Sequence, residues 1–334
     1  MINVGVIGYG YWGPNLVRNL METEGAQVIW CADKRPERRA LAERRYPTLK
    51  VNEDADAIID DPAVDAVVVA TPVSTHYDLA KRALEQGKHV LVEKPMTRTV
   101  TEGEELIELA EKNGLVLMVD HTFIYTGAVR RMKELLDAGE LGDLYYFDSV
   151  RVNLGIFQHD IDVLWDLAPH DLSILTYLIP KKPEQVSAIG SDHVGTGNAD
   201  MAYITLYFDD SFIAHFHVNW LSPVKVRQIL IGGDRRMLVY DDMEPSEKVR
   251  VYDSEIKVTT QEGIYATLVD YRTGDMWAPK LEFGEALGVE CAHFADCVRF
   301  KKVPLSSGAA GLTVVKVLDA ASRSLAAKGK RVRV

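Results

Sequence analysis

The chain has 334 residues, of which 47% are hydrophobic and 26% charged, a composition that is typical of globular proteins and excludes disorder, collagen and coiled coil. At roughly 150 residues per domain, this length predicts about two domains. Lys and Arg number 38 against 49 Asp and Glu, giving a formal charge of −11, which argues against nucleic acid as a partner because binding a phosphate backbone requires clustered positive charge.

The sequence shows no pattern that predicts a membrane span, a secretory signal, a disulfide or a metal. The longest purely apolar runs are far shorter than the roughly 20 residues of a spanning helix. An apolar strand pattern follows Met1 directly, without a basic region before it, so we expect a cytoplasmic protein. Cys31, Cys291 and Cys297 lie in apolar segments without C-x-x-C spacing, and we interpret them as core thiols.

The first third of the chain alternates short apolar runs with amphipathic, helix-like stretches. Strands are predicted over 2–8, 27–33, 65–71, 89–93 and 115–119. Strands that read as continuous Val, Ile and Leu and are separated by helices favour a parallel, doubly wound sheet. We therefore predict an α/β protein with a Rossmann domain over 1–120, followed over 121–334 by an α+β domain whose C-terminal segment could pack back on the first domain.

A turn with the pattern G-x-G-x-x-G follows the first predicted strand and precedes a helix pattern. In this context it predicts a dinucleotide site. Gly8 permits the tight turn, Gly10 lets the backbone approach a pyrophosphate, and Gly13 allows close packing at a helix N-terminus that binds the anion. Tyr11 and Trp12 lie inside the turn and are assigned to the same site. The alternative is a glycine turn in a fold without a nucleotide.

The residue that ends the second predicted strand bears on which dinucleotide is bound. Asp33 lies twenty positions after Gly13, where a carboxylate can accept hydrogen bonds from the adenosine ribose hydroxyls, and this favours NAD. Lys34 and Arg35 follow at once, and a cation there could bind a 2′-phosphate. NADP therefore stays an alternative, and Lys34 is included among the cofactor-binding candidates.

Two motifs at the ends of later strands give the chain a specific resemblance. Thr71 and Pro72 begin a T-P-x-x-x-H segment that ends at His76, and the next strand ends in E-K-P, with Glu93 and Lys94 before the proline. After a dinucleotide turn, these motifs resemble the Gfo/Idh/MocA family of sugar and cyclitol oxidoreductases. The resemblance implies that all five residues bind the cofactor. In the family the peptide bond after the lysine is often cis, which the sequence leaves open.

A D-x-x-x-H element formed by Asp166 and His170 extends this resemblance to nearly the whole chain. It implies an NAD(P)-dependent oxidoreductase acting on CH–OH groups, in which the histidine is the acid/base and the aspartate its electrostatic partner. The ordinary pKa of histidine, about 6.5, suits proton exchange near neutrality. Lys94, just past a strand end, is placed to hold the reacting oxygen. The helix begins either before Asp166, placing it one turn from His170, or at Pro169 or His170.

Tyr125, Arg151 and Asn153 join Lys94, Asp166 and His170 as candidate substrate contacts. Arginine can bind a carboxylate or pyrophosphate in a bidentate manner, and a surface salt bridge is the alternative. His121 is a weaker candidate.

Many family members carry a glycine-rich run before the aspartate, whereas this chain has none, and Ala168 stands where Gly is common. This variant resembles dehydrogenases that oxidise the 3-hydroxyl of UDP-N-acetylhexosamines.

The second domain carries alternating strand patterns that predict a large, mostly antiparallel sheet. In a hairpin over 200–219, apolar residues share one face, and the other face carries Tyr203, Thr205, Tyr207, His215 and His217. The second face resembles an interface, and family members commonly pair through such sheets, so we expect a homodimer or homotetramer. A metal at His215 and His217 is the less favoured interpretation, because a third ligand is not evident.

Two alternative functions remain open. The first is an oxidoreductase with the same fold whose substrate is a free sugar or inositol, or which reduces a ketone with NADPH. The other is a non-catalytic regulator that senses a dinucleotide on the same fold. The presence of both Lys94 and His170 argues against the regulator, because such a protein needs neither proton-handling group.

Overall fold

The computed structural model describes residues 1–155, 161–253, 255–257, 270–272 and 274–334. The chain forms two compact units, one comprising 1–126 and 284–316, and the other 127–283 and 317–334. One long helix, Gly308–Ala326, begins in the first unit and continues into the second.

The first unit contains a parallel sheet flanked by helices. Its elements are β1 Ile2–Ile7, α1 Gly13–Glu22, β2 Ala26–Ala32, α2 Pro36–Arg45, β3 Lys50–Asn52, α3 Asp56–Ile59, β4 Ala66–Val69, α4 His76–Glu85, β5 His89–Glu93, α5 Val100–Asn113 and β6 Leu117–Asp120, with short 3-10 turns at Val73–Thr75 and Thr122–Tyr125. In the described residues the strand order is β3-β2-β1-β4-β5-β6, and every neighbouring pair is parallel.

Burial on both faces explains why these strands form. Val4, Val6 and Val67 are fully buried, as expected for a parallel sheet covered by helices on both sides. The five predicted strands are all present within a few residues, which confirms the doubly wound fold. Strand β3 is not predicted from the sequence, because this edge strand has only three residues and none of them is fully buried.

The second unit is built around a larger mixed sheet. Its elements are α6 Gly127–Asp137, β7 Leu144–Leu154, α7 Val163–Leu178, β8 Gln185–Ser191, β9 Met201–Tyr207, β10 Ile213–Asn219, β11 Leu221–Gly233, β12 Met237–Asp241, β13 Val249–Tyr252, β14 Glu255–Lys257, β15 Asp270–Arg272, β16 Met276–Trp277 and β17 Val332–Arg333. In the described residues the order of the main sheet is β16-β13-β12-β11-β7-β10-β9-β8-β17. All its pairs are antiparallel except β7 with β10, so the predicted, mostly antiparallel sheet is confirmed.

The predicted hairpin has the expected two-faced pattern. Strands β9 and β10 pair with Ile204 opposite Phe216, and both side chains are fully buried. On the other face the Tyr203 ring stacks on His217, with ring centroids 4.4 Å apart, and Thr205 hydrogen-bonds to His215 Nδ1 at 3.1 Å.

Two helices complete the chain, α8 Ala286–Phe300 and α9 Gly308–Ala326. The α8 helix belongs to the first unit, where it packs against α1 and the turn Thr122–Tyr125. Within the described ranges, no helix is both long and apolar enough to cross a membrane.

Candidate active site

The turn after β1 has the geometry of a dinucleotide-binding loop. Gly8 has a φ of 102°, and a Cβ atom there would lie 2.3 Å from the Ala70 carbonyl oxygen, while a Cβ at Gly13 would lie 2.1 Å from the Gly8 carbonyl oxygen. Both positions therefore require glycine. Trp12 is the N-cap of α1, and no side chain of the described residues caps this helix. The loop fits a bound pyrophosphate, whose charge a helix N-terminus stabilises.

Asp33 follows β2 and is held by the turn and by Arg35. Its Oδ2 accepts a hydrogen bond from the Tyr9 amide at 2.8 Å, and its Oδ1 accepts from the Arg35 amide and Nε at 2.9 and 3.0 Å. Burial opposes ionisation of Asp33, but the hydrogen bonds from Arg35 and Tyr9 outweigh it and lower the pKa of the carboxyl. An ionised carboxylate therefore lies beside the glycine turn, the position from which it would bind a ribose.

The other cofactor-binding candidates around this turn differ in exposure. Tyr11 is 80% exposed and Trp12 42% exposed, and Lys34 is also exposed. The Arg35 guanidinium lies near Gly10, where an added Cβ would be 3.2 Å from Nη2. Arg35 therefore places a cation beside the turn, although Lys34 and not Arg35 is the cofactor-binding candidate that the sequence suggests.

His76 connects the two motifs that end β4 and β5. Its side chain is buried, with Nδ1 2.9 Å from the Pro95 carbonyl oxygen and Nε2 2.8 Å from the Thr71 carbonyl oxygen. The ring therefore holds the turn at Thr71 next to the turn at Lys94, whose peptide bond to Pro95 is cis. The sequence also allows this segment to be explained by helix capping through Ser74 or Thr75, but within the described residues no side-chain capping hydrogen bond is formed at the N-terminus of α4.

Two buried polar residues lie near Lys94 at the ends of β5 and β6. The Glu93 carboxyl accepts a hydrogen bond from the Lys94 amide through Oε2 at 3.2 Å. His121 is 2% exposed, and its ring nitrogens have no hydrogen-bond partner among the described residues. Burial, with a smaller contribution from the charge of Lys94, lowers the pKa of His121 to about 3, so this imidazole is uncharged near neutrality. From the sequence His121 is a weaker candidate than His170, although it directly follows the end of β6.

In the second unit, Asp166 and His170 lie on one helix. The α7 helix starts at Val163, and its N-cap Asp162 accepts a hydrogen bond from the Trp165 amide at 3.0 Å. A helix start at Pro169 or His170 is therefore wrong, and Pro169 lies inside the helix. Asp166 and His170 are one turn apart, and Asp166 Oδ2 accepts a hydrogen bond from Trp220 Nε1 at 3.0 Å.

Arg151 on β7 and Asp171 on α7 form a buried ion pair. Arg151 Nε and Nη2 donate to the two carboxylate oxygens at 2.9 and 2.7 Å, and both side chains are about 3% exposed. The pair fixes α7 to β7 at the residue after His170. Asn153 lies on the same strand and is half-buried.

Tyr125 is buried in the first unit, where its hydroxyl hydrogen-bonds to Ser306 Oγ at 2.9 Å. A substrate contact of Tyr125, Arg151 or Asn153 stays a prediction.

These features define a dinucleotide-binding α/β protein in which Asp166 and His170 lie one turn apart on a helix of the second unit. Two family models match the chain, the "Oxidoreductase family, NAD-binding Rossmann fold" over residues 2–121 and the "GFO/IDH/MocA C-terminal domain" over 129–239. The chain therefore belongs to the GFO/IDH/MocA family, and the predictions of an NAD(P)-dependent oxidoreductase and of this fold are confirmed.

Individual relatives are distant but cover nearly the whole chain. The scyllo-inositol 2-dehydrogenase (NAD(+)) of Bacillus subtilis is 26% identical over 91% of this chain and 87% of its own. The UDP-N-acetylglucosamine 3-dehydrogenase of Acidithiobacillus ferrooxidans is 28% identical over 90% of this chain and 94% of its own. A solved structure of that dehydrogenase superposes with a TM-score of 0.83, at 25% identity and 98% coverage of both chains.

Proposed function

We propose that the protein is an NAD-dependent dehydrogenase that oxidises a secondary hydroxyl of a sugar, specifically the 3-hydroxyl of a UDP-N-acetylhexosamine or a related nucleotide sugar. The observation that carries the reaction type is the placement of Asp166 and His170 one turn apart on α7, in a chain whose other unit presents Lys94 after a dinucleotide-binding strand end. The nucleotide-sugar assignment draws on the similarity to UDP-N-acetylglucosamine 3-dehydrogenase over nearly the full length.

The proposed mechanism assigns one role to each of three side chains. Lys94 holds the reacting oxygen and stabilises the negative charge that develops on it. An imidazole nitrogen of His170 accepts the hydroxyl proton. The Asp166 carboxylate orients that imidazole and stabilises the cation that it becomes. When bound, the nicotinamide supplies the hydride acceptor.

The binding of the cofactor is proposed to involve the glycine turn and the carboxylate of Asp33. The carboxylate is ionised and next to the turn, which favours a ribose with free hydroxyls and hence NAD. Arg35 neutralises part of this charge and lies half-exposed, so NADP is the alternative. Turnover with each cofactor distinguishes the two.

The main alternative substrate is a free inositol or hexose, which the similarity to scyllo-inositol 2-dehydrogenase supports. A direct comparison decides between the two. Purified protein is incubated with NAD or NADP and a panel of UDP-N-acetylhexosamines, their uronates, inositols and hexoses, with a ketone scavenger to remove product. Reduced nicotinamide is followed by absorbance and the keto product by mass spectrometry.

Variants test whether the observed turnover belongs to this site. Lys94→Ala and His170→Ala are each expected to lower kcat by about 10²- to 10⁴-fold. Lys112→Ala and His193→Ala, exposed residues of the same types, serve as matched controls and retain activity. Turnover of inositols alone would contradict the nucleotide-sugar assignment, and tight NAD binding without any turnover would favour a regulator.

We also propose that copies of the chain associate through the open sheet face that carries Tyr203, Thr205, His215 and His217. Stacked rings and a hydroxyl–imidazole hydrogen bond make this face rigid and aromatic, a composition that favours an interface. Sedimentation of the wild type and of Tyr203→Lys tests the proposal. We expect a dimer or tetramer that the substitution dissociates, and a monomeric wild type would contradict it.

A further inference from the structure

Three carboxyl groups meet inside the first unit, directly behind Lys94. Glu93 ends β5 and Asp120 ends β6, and the two residues are opposite each other in the parallel register. Glu290 approaches from α8, which packs against the turn after β6. The exposed fractions of these residues are 8%, 4% and 0%, so water does not solvate their charges.

The hydrogen bonds around these carboxyls do not suit three ionised groups. Glu93 Oε2 accepts from the Lys94 amide, and Asp120 Oδ1 accepts from Thr122 Oγ1 at 2.5 Å. No donor among the described residues hydrogen-bonds to Glu93 Oε1 or to either carboxyl oxygen of Glu290. A buried carboxylate oxygen without a donor is strongly unfavourable, whereas a protonated carboxyl needs only an acceptor.

Asp120 is placed to be that acceptor for both glutamates. The side chains of Glu93 and Glu290 each lie within hydrogen-bonding reach of its carboxylate. Burial raises the pKa of Glu93 and of Glu290 well above the usual range, and the charge of Asp120 raises both further; at Glu290 these effects outweigh the opposite effect of the nearby Thr122 hydroxyl. In the described part of the chain, no three His, Cys, Asp or Glu side chains are arranged to bind a metal ion.

Other titratable groups near the three carboxyls do not offset their charge. Burial raises the pKa values of Tyr125 and Cys291, so both groups are neutral near pH 7. The charge of Lys94 opposes the effect of burial on Glu93 without reversing it. Protonation of the carboxyls is therefore what reduces the negative charge of the cluster.

We propose that Glu93 and Glu290 are protonated and donate hydrogen bonds to Asp120, so that the three carboxyls share two protons and carry one negative charge. In this arrangement Glu93 is uncharged beside Lys94. An ionised Glu93 would compete with the reacting oxygen for the ammonium group of Lys94. Glu290 is thus a positioning residue that acts on Lys94 through Asp120 and Glu93. This catalytic consequence rests on the proposed function, whereas the protonation state does not.

Infrared spectroscopy tests the protonation directly, on the full-length protein at neutral pH with NAD bound. Glu285 provides a matched control five residues earlier. Its carboxylate accepts hydrogen bonds from Arg18 and Asn19, and those bonds lower its pKa. The difference spectrum between wild type and Glu290→Gln should show the loss of a protonated carboxylic acid C=O band. The same comparison for Glu285→Gln should show the loss of ionised carboxylate bands. Loss of carboxylate bands in Glu290→Gln would overturn the proposal.

Kinetics test the positioning role separately. A glutamine at 290 can donate an N–H to Asp120 as the acid O–H does, whereas an alanine cannot. We expect Glu290→Ala to lower kcat about tenfold or more through displacement of Lys94, with little change in the KM for NAD, and Glu290→Gln to restore most of the loss. Equal losses in both variants would overturn the positioning role. If Glu290→Ala does not fold, a tenfold loss of kcat in Glu290→Gln would likewise overturn the positioning role. If wild type turns over no substrate, the proposed function fails, and the infrared result still decides the protonation.

Discussion

Removal of one partner of the Arg151–Asp171 pair should strongly destabilise the second unit. Two hydrogen bonds of 2.9 and 2.7 Å join the side chains, and both are about 3% exposed. In Asp171→Asn the Arg151 charge stays buried without its carboxylate, a change that costs about 3–5 kcal/mol. By contrast, the exposed pair of Lys133 and Asp137 on α6 contributes at most about 1 kcal/mol, so Asp137→Asn is the matched control.

The assay is urea unfolding followed by tryptophan fluorescence, since Trp165 and Trp220 lie in this unit. We expect Asp171→Asn to lower the free energy of unfolding by about 3–5 kcal/mol and the double variant Arg151→Met with Asp171→Leu to lower it by less, because no charge is left buried. A loss below about 1 kcal/mol for Asp171→Asn would refute the reasoning, as would a double variant whose loss equals the sum of the single losses.

Four further outcomes are expected. Gly8→Ala strains a backbone with a φ of 102° and places Cβ 2.3 Å from a carbonyl oxygen, so NAD affinity measured by fluorescence titration should fall about tenfold or more; unchanged affinity would argue against this turn as the cofactor site. Asp33→Ala removes the ribose acceptor, so the ratio of kcat/KM for NAD to that for NADP should fall about tenfold, and a constant ratio would exclude this role. Burial raises the pKa of Cys31 to about 12, so iodoacetamide at pH 8 should label it only after unfolding; rapid labelling of the folded protein would contradict its burial. The hydrogen bonds from His193 lower the pKa of Asp200 despite burial. The ionised Asp200 carboxylate therefore stabilises the folded state above the unfolded pKa of about 3.9, and this stabilisation is lost as the pH falls through the lower folded pKa. Asp200→Asn should therefore be less stable to urea than the wild type at pH 7 and approach the wild type in acid. A difference in unfolding free energy that does not change with pH would contradict this role of Asp200.

The fold was predictable because its signals are local. Apolar strands separated by amphipathic helices indicate a parallel sheet, and alternating side chains, as in Ile204 and Phe216, indicate a two-faced antiparallel one. The start of α7 was ambiguous because proline usually begins or breaks a helix. Asp162 resolves the ambiguity, since its capping hydrogen bond places the helix start six residues before Pro169.

The candidate site was only partly predictable. Gly8 and Asp166 belong to motifs whose other residues lie only a few positions away in the sequence. The partners of His76 and Glu290 lie in other segments, however, and the sequence does not show which segments meet. For the same reason the sequence does not show that Asp171, on a different element, occupies two of the donor groups of Arg151.

Transfer of an isotope from substrate to cofactor tests the central claim most directly. UDP-N-acetylglucosamine carrying deuterium at carbon 3 is incubated with the protein and NAD, and the reduced nicotinamide is analysed by mass spectrometry. If the protein oxidises the 3-hydroxyl, the wild type transfers deuterium to the nicotinamide and Lys94→Ala and His170→Ala transfer far less. Bound NAD without any deuterium transfer from this substrate, or equal transfer by all three proteins, would contradict the account.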